Sequence, residues 1–137
     1  RLLDEKMAAA GLPTGKIGIM NAAKCYNIIA KENLNYVKPL FASTGVKGDD
    51  LPKDYYVSEL MYPSCVNTAP LETIEAFVSG DQKPKTPPSD AQIEEFFERV
   101  ADAKIDMKKA YKKLLDDGLA AFEEAFKEII KTLKKEK

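Results

Sequence analysis

Two short strand-like segments, the apolar run 37–42 and residues 65–69, constrain this chain more than any other feature. Each is strand-sized, and a helix-sized segment lies between them. The first run, Val37-Lys38-Pro39-Leu40-Phe41-Ala42, follows the turn chemistry of Asn33-Leu34-Asn35 and opens onto Ser43-Thr44-Gly45-Val46-Lys47-Gly48. Pro39 removes a ladder donor, so a central place in a sheet would be uncomfortable for it. After a second turn cluster, Asp49-Asp50-Leu51-Pro52, Asp54 is placed to cap a helix over 55–61 with Tyr56, Val57, Leu60 and Met61 as its apolar positions. Pro63-Ser64 ends it and 65–69 reads as the second strand. Pro70 then sits at a first helical position, where its missing N–H costs nothing. A helix over 71–78 turns Ile74, Phe77 and Val78 inward, and Gly80 is its expected left-handed stop. Strand, loop, helix, strand, helix is the order of parallel βαβ units, and the fold class expected is α/β, rich in helix.

The flanks are helical. A short helix over 2–10 closes at Gly11-Leu12-Pro13. A longer one over 16–31 carries Ile17, Met20, Ala23, Cys25, Tyr26, Ile28 and Ile29. These occupy too much of its circumference for one stripe, so it is expected to pack on more than one neighbour. Residues 81–89, with three prolines, read as a linker dividing an α/β part, 1–80, from a helical tail, 90–137. Ser89 and Gln92 match a capping box. Ile93, Phe96, Phe97 and Val100 then recur at i, i+3, i+4, i+7. From Tyr111 to Leu133 a single apolar face persists over about six turns, and its Phe122/Phe126 stripe is expected to be core. Gly118 within it is expected to mark a bend or a close packing point.

Composition removes several function classes. A net charge of −1 gives no electrostatic reason to expect nucleic acid or an anionic membrane surface. The Lys108-Lys109 and Lys112-Lys113 pairs are flanked by Asp102, Asp106, Asp116 and Asp117, which describes a solvated mixed-charge helix face. No apolar run approaches the roughly 20 residues of a membrane span, and the N-terminus is not organised as a signal peptide. The lack of an initiating methionine suggests a processed, cut or incomplete chain. Histidine is absent, which rules out Ser-His and Cys-His nucleophile pairs and His-containing zinc sites. Cys25 and Cys65 lack CxxC spacing and read as reduced core residues of a cytoplasmic protein. Lys16 and Lys24 read as solvated or capping lysines rather than catalytic amines.

The loop after the first strand is the candidate site. Ser43 and Thr44 supply hydroxyl donors, Gly45 and Gly48 let backbone N–H groups crowd an anion, and Lys47 adds a point charge suited to phosphate. On local chemistry alone an ordinary strand-to-loop exit is the preferred reading, because Ser-Thr-Gly clusters are common loop punctuation.

Several blocks together change that balance. Gly15-Lys16-Ile17-Gly18-Ile19-Met20-Asn21-Ala22, the stretch Leu40 to Lys47, Lys53-Asp54-Tyr55-Tyr56-Val57-Ser58-Glu59-Leu60 and Val66-Asn67-Thr68-Ala69-Pro70 resemble, in order, the C-terminal part of bacterial transaldolase. The helix from Leu71 to Phe77 and the tail Asp117 to Phe126 do so too. The resemblance implies the late part of a (β/α)₈ barrel, with 37–42 as strand seven, 65–69 as strand eight and the helices of 90–137 packing on the barrel. It implies transfer of a dihydroxyacetone unit between sugar phosphates of the pentose phosphate pathway: fructose 6-phosphate, sedoheptulose 7-phosphate, erythrose 4-phosphate and glyceraldehyde 3-phosphate. The family does this through a Schiff-base lysine, with no metal or organic cofactor. Ser43 falls on the serine of the family's substrate-side motif. Other members carry an arginine shortly after it. Here Thr44-Gly45-Val46-Lys47 stands, so Thr44 and Lys47 are taken as phosphate ligands from their chemistry and position. The block resembling Ile-Lys-Ile-Pro that carries the nucleophile is absent, so no catalytic residue is assigned, and the chain alone is expected to be inactive without the N-terminal barrel half. The competing expectation is a non-catalytic, α-rich binding or structural module that kept part of the fold.

Overall fold

A computed structural model describes residues 2–135. Six helices and two strands follow in order: α1 (Asp4–Ala9), α2 (Ile17–Glu32), β1 (Leu40–Phe41), α3 (Tyr55–Glu59), β2 (Val66–Asn67), α4 (Leu71–Ser79), α5 (Asp90–Asp102) and α6 (Met107–Lys135). The α/β order read from the sequence is present, and the two strands pair in parallel, Leu40 opposite Val66 and Phe41 opposite Asn67.

Both strands are shorter than expected. Val37 N–H donates to the Leu34 carbonyl, so the turn reaches into the apolar run, and the strand begins only at Leu40. Pro39 then falls just before the strand. It has no N–H to lose there, and its carbonyl accepts from Val66 N at 2.9 Å. Thr68 N closes the other end on the Phe41 carbonyl, also at 2.9 Å.

The core forms where α2 meets α5. Ile19, Ala23 and Tyr26 of α2 pack with Phe41, Leu60, Tyr62 and Ile93, while Met7, Leu12, Phe96, Val100 and Ile105 make a second cluster. Met20 packs against both clusters, so α2 serves two neighbours as its broad apolar surface requires. Tyr26, Phe41 and Tyr62 form an aromatic triad with centroids 5.1 to 6.5 Å apart. Tyr26 Oη donates to the Pro63 carbonyl at 3.0 Å. Burial, followed by the nearby Glu59 charge, pushes the Tyr62 hydroxyl up to about 12.

The capping box at the start of α5 is formed. Ser89 Oγ accepts from Gln92 N, and Gln92 Oε1 accepts from Ser89 N. Other local expectations fail for identifiable reasons. Asp54 precedes α3 but does not cap it through its side chain. Its carboxylate instead accepts from Ser58 Oγ at 2.8 Å and Gln82 Nε2 at 2.7 Å. Pro70 is the residue before α4 and not its first helical one. Gly80 is extended, with φ −93° and ψ 165°, so it ends α4 without a left-handed turn. Ile74 and Val78 are exposed, and the inward residue of α4 is Thr73, fully buried against the loop that follows β1.

Residues 81–89 contain no helix or strand and lie against the body. Lys85 N donates to the Met61 carbonyl, and Asn27 Nδ2 donates to the Pro88 carbonyl. Cys65 is half-buried, but Cys25 is exposed, and both thiols are free. Cys25 lies on the side of α2 that lines an open cavity with Ile29 and Leu40, which accounts for its failure to be core.

The largest departure is α6. Its apolar face, expected to be core, is uncovered from Tyr111 to Leu133, and Phe122 is 80% exposed. The helix runs through Gly118 without interruption, and Gly118 is no close packing point, since a Cβ there would meet nothing within 4 Å. The mixed-charge face is as expected, with Lys112–Asp116 and Lys113–Asp117 pairs at 2.9 and 2.8 Å. Among the described residues no helix is long and apolar enough to cross a membrane.

Candidate functional site

The loop leaving β1 is shaped by four local facts. Ser43 adopts a left-handed backbone, φ 58°, uncommon for a residue with a side chain. Thr44 turns inward, is buried, and donates from Oγ1 to the Thr68 carbonyl at 2.8 Å. That bond ties the loop to the end of β2. Gly45 is needed for close approach: a Cβ there would sit 2.9 Å from Pro70 Cγ and 3.0 Å from its Cδ. Gly48 supplies the conformational freedom, with φ 99°.

Ser43 and Thr44 line one cavity of about 640 Å³, together with Pro39, Leu40, Phe41 and residues of α1, α2 and the start of α6. Lys47 is exposed and lines a different, smaller cavity of about 250 Å³ with Asp4, Asp50 and Tyr56. The structure therefore brings Ser43 and Thr44 together and sets Lys47 on the far side of the loop. The two spaces adjoin, since Asp4, Gly15 and Tyr56 border both. Burial, the largest single influence, would raise the Asp4 carboxyl, but a 2.9 Å hydrogen bond from Gly15 N–H together with smaller electrostatic contributions holds the group below its ordinary value. Tyr56 moves the other way, raised first by burial and then by the charge of Asp4.

Lys16 is the N-cap residue of α2, without a side-chain cap, and its half-buried ammonium is 2.5 Å from Glu59 and lies over the Tyr55 ring, 5.4 Å from the centroid. Glu59 takes Lys85 as a second partner, also at 2.5 Å. Burial favours neutral Lys16, but hydrogen bonding with Glu59 and Tyr55 more than offsets it and raises the amine above its usual value. A Schiff-base nucleophile needs the opposite shift. Glu59 is the mirror case: burial raises it, and the bonds from Lys16 and Lys85 bring it below the ordinary glutamate value.

Sequence reasoning missed Glu59, Asp4 and Asn67. Asn67 Nδ2 donates to the Leu60 carbonyl at 3.3 Å, while its buried Oδ1 has no protein partner. The available signal for Asn67 was an amide side chain placed inside the segment expected to be a strand. Nothing local marked Glu59, whose partners lie 43 and 26 residues away. Among the described residues no three Cys, Asp or Glu side chains gather as metal ligands would.

What this arrangement offers is a hydroxyl-lined exit from a parallel strand pair, open to a cavity whose lining is mostly apolar. The family described as Transaldolase/Fructose-6-phosphate aldolase matches residues 1–133. The chain belongs to that family. Among its transaldolase relatives, one from Campylobacter jejuni is 47% identical over 118 residues, covering 86% of this chain and 36% of the relative. One from Helicobacter pylori is 39% identical over 116 residues, covering 84% and 37%. The chain thus spans little more than a third of the length of these curated transaldolases. The blocks compared in sequence, from Gly15 to Phe126, fall inside the matched family region.

Proposed function

We propose that this chain forms the late part of a transaldolase barrel, with β1 and β2 as its seventh and eighth strands. The observation that carries the reading is the placement of Ser43 and Thr44 at the C-terminal end of a strand in a parallel pair, facing a cavity. Barrels of this class bind substrate at that end of their strands, and the loops after strands seven and eight often take phosphate. In the completed enzyme a dihydroxyacetone unit passes between sugar phosphates such as fructose 6-phosphate and erythrose 4-phosphate, in the cytoplasm. The Schiff-base lysine lies outside this chain, in keeping with the raised amine of Lys16. Ser43 contacts substrate through its exposed hydroxyl. Thr44 acts by fixing the loop to Thr68, and Lys47 contributes charge from the outer side of the loop.

The test combines this chain with the part of the Campylobacter jejuni relative that it does not span. Turnover of fructose 6-phosphate with erythrose 4-phosphate is expected in the mixture and in neither part alone. Ser43→Ala in the mixture should lower kcat/KM about tenfold or more. Borohydride treatment of this chain alone with fructose 6-phosphate should leave its intact mass unchanged. A stoichiometric adduct would place the nucleophile here and overturn the assignment. The exposed face of α6 favours a second reading, a non-catalytic binding module. A cooperatively melting monomer that stays inactive in the mixture would support that reading instead.

A further inference from the structure

We propose that Asn67 is the positioning residue of the candidate site: its amide fixes the end of β2, and with it the loop that presents Ser43. Ser43 meets substrate in the function proposed above, on which this rests, and Asn67 sets where its hydroxyl stands.

Asn67 occupies a place suited to an apolar residue. It is the register partner of Phe41, and side chains directly opposite on neighbouring strands share a face. That face packs on the core, where Phe41 meets Leu60, Tyr62 and Ile93. An amide there gives up water, which costs free energy unless its polar atoms find partners. Asn67 pairs only one of the two. Nδ2 donates to the Leu60 carbonyl at 3.3 Å, while among the described residues Oδ1 meets no donor. Oδ1 is closed off by this chain's own atoms, so a segment added outside does not reach it.

The Leu60 carbonyl does not require the amide either. It ends α3 and already accepts from Tyr62 N at 2.9 Å, with Cys65 Sγ 3.5 Å away. A leucine at 67 would serve folding as well or better, because it leaves no acceptor orphaned. What the amide supplies is an anchor with direction, tying β2 to α3 one residue before Thr68. Thr68 N–H donates to the Phe41 carbonyl, and the Thr68 carbonyl accepts from Thr44 Oγ1 at 2.8 Å. Thr44 follows Ser43, whose left-handed backbone lies at the larger cavity. An apolar side chain at 67 would pack without fixing this chain of bonds, since hydrophobic contact is not directional.

The expected signature is a variant that keeps the fold and loses the site. Asn67→Leu should leave the urea midpoint of the chain unchanged or higher. In the same variant, amide exchange at Thr68, read by NMR, should speed up at least about tenfold while the middle of α5 is unchanged. Mixed with the remaining part of the Campylobacter jejuni relative, it should show kcat/KM lowered about tenfold. In a Ser43→Ala background the same substitution should cost nothing further, because Asn67 acts only through that hydroxyl. A lower urea midpoint would make Asn67 an ordinary core residue and overturn the proposal. So would unchanged exchange at Thr68, or a loss of turnover that adds in full to that of Ser43→Ala. The exchange measurement needs no turnover. It decides whether Asn67 holds the loop even where an inactive wild-type mixture has overturned the transaldolase reading.

Discussion

Ile93 in α5 and Phe122 in α6 occupy equivalent places in their sequence patterns, each inside an apolar stripe at helical spacing. Ile93 is 1% exposed and Phe122 is 80% exposed. The helices differ in what the rest of the chain brings to them. Over α5 the chain lays α2, α1 and the turn before α6, so Ile93, Phe96 and Val100 each find a cover. Past Leu114, α6 leaves the body and its stripe meets none of the described elements. Periodicity states which face of a helix must be covered. Whether the cover lies in the same chain is a property of topology.

The sharpest way to break this comparison is to truncate both stripes. Ile93→Ala should cost about 2–5 kcal/mol, because the site is closed on all sides and cannot collapse freely. Phe122→Ala should change stability by less than about 0.5 kcal/mol. Urea unfolding of the two variants reads the difference, and equal losses would mean that α6 is covered by its own body.

The glycines sharpen the contrast on a smaller scale. Gly45→Ala pushes a methyl group against the Pro70 ring, which neither backbone nor ring can easily yield, and should cost about 1–3 kcal/mol. Gly118→Ala meets open space within a helix and should stabilise by about 0.5–1 kcal/mol. Thermal melts of the pair should therefore move in opposite directions. A neutral Gly45→Ala would show that the loop after β1 is looser than its packing on Pro70 implies.

Much of the body was legible in the residues themselves. The Ser89/Gln92 box, the double-faced α2 and the order of strands and helices all rest on interactions within a few residues, or on periodicity. The failures share a different cause. Val37 was assigned to a strand because it is apolar, and the Leu34 carbonyl took its N–H. Asp54 was assigned to a cap because it precedes a helix, and Gln82, 28 residues on, took its carboxylate. In the candidate site, the chemistry of Ser43 and Thr44 could be read locally, but the division of Ser43 and Lys47 between two cavities could not. That division follows from the left-handed turn at Ser43 and from Thr44 reaching to β2. Glu59 was invisible for the same reason as Asp54: its partners come from distant segments.

The smallest expected effects concern charge. Glu59 is mostly buried and bridges α2, α3 and the segment after α4 through Lys16 and Lys85. Lys113 and Asp117 form a pair at 2.8 Å on α6, but both side chains are more than half exposed. Glu59→Gln should cost about 1–2 kcal/mol near neutral pH, since it leaves two lysines with a weaker acceptor. Lys113→Ala should cost no more than about 0.5 kcal/mol. The pH dependence separates them further. The folded-state value of Glu59 lies below its ordinary 4.5, so its contribution is complete above that value and is lost as pH falls through the depressed folded value. Lys16 is shifted above 10.5, so its contribution is complete below that pH and is lost as pH rises through the raised folded value. The difference between wild type and Glu59→Gln should therefore hold level between these limits and shrink on the acid side below about pH 4. A gap between wild type and Glu59→Gln that widens on acidification would reverse the assigned sign and show that burial, rather than the two lysines, governs Glu59.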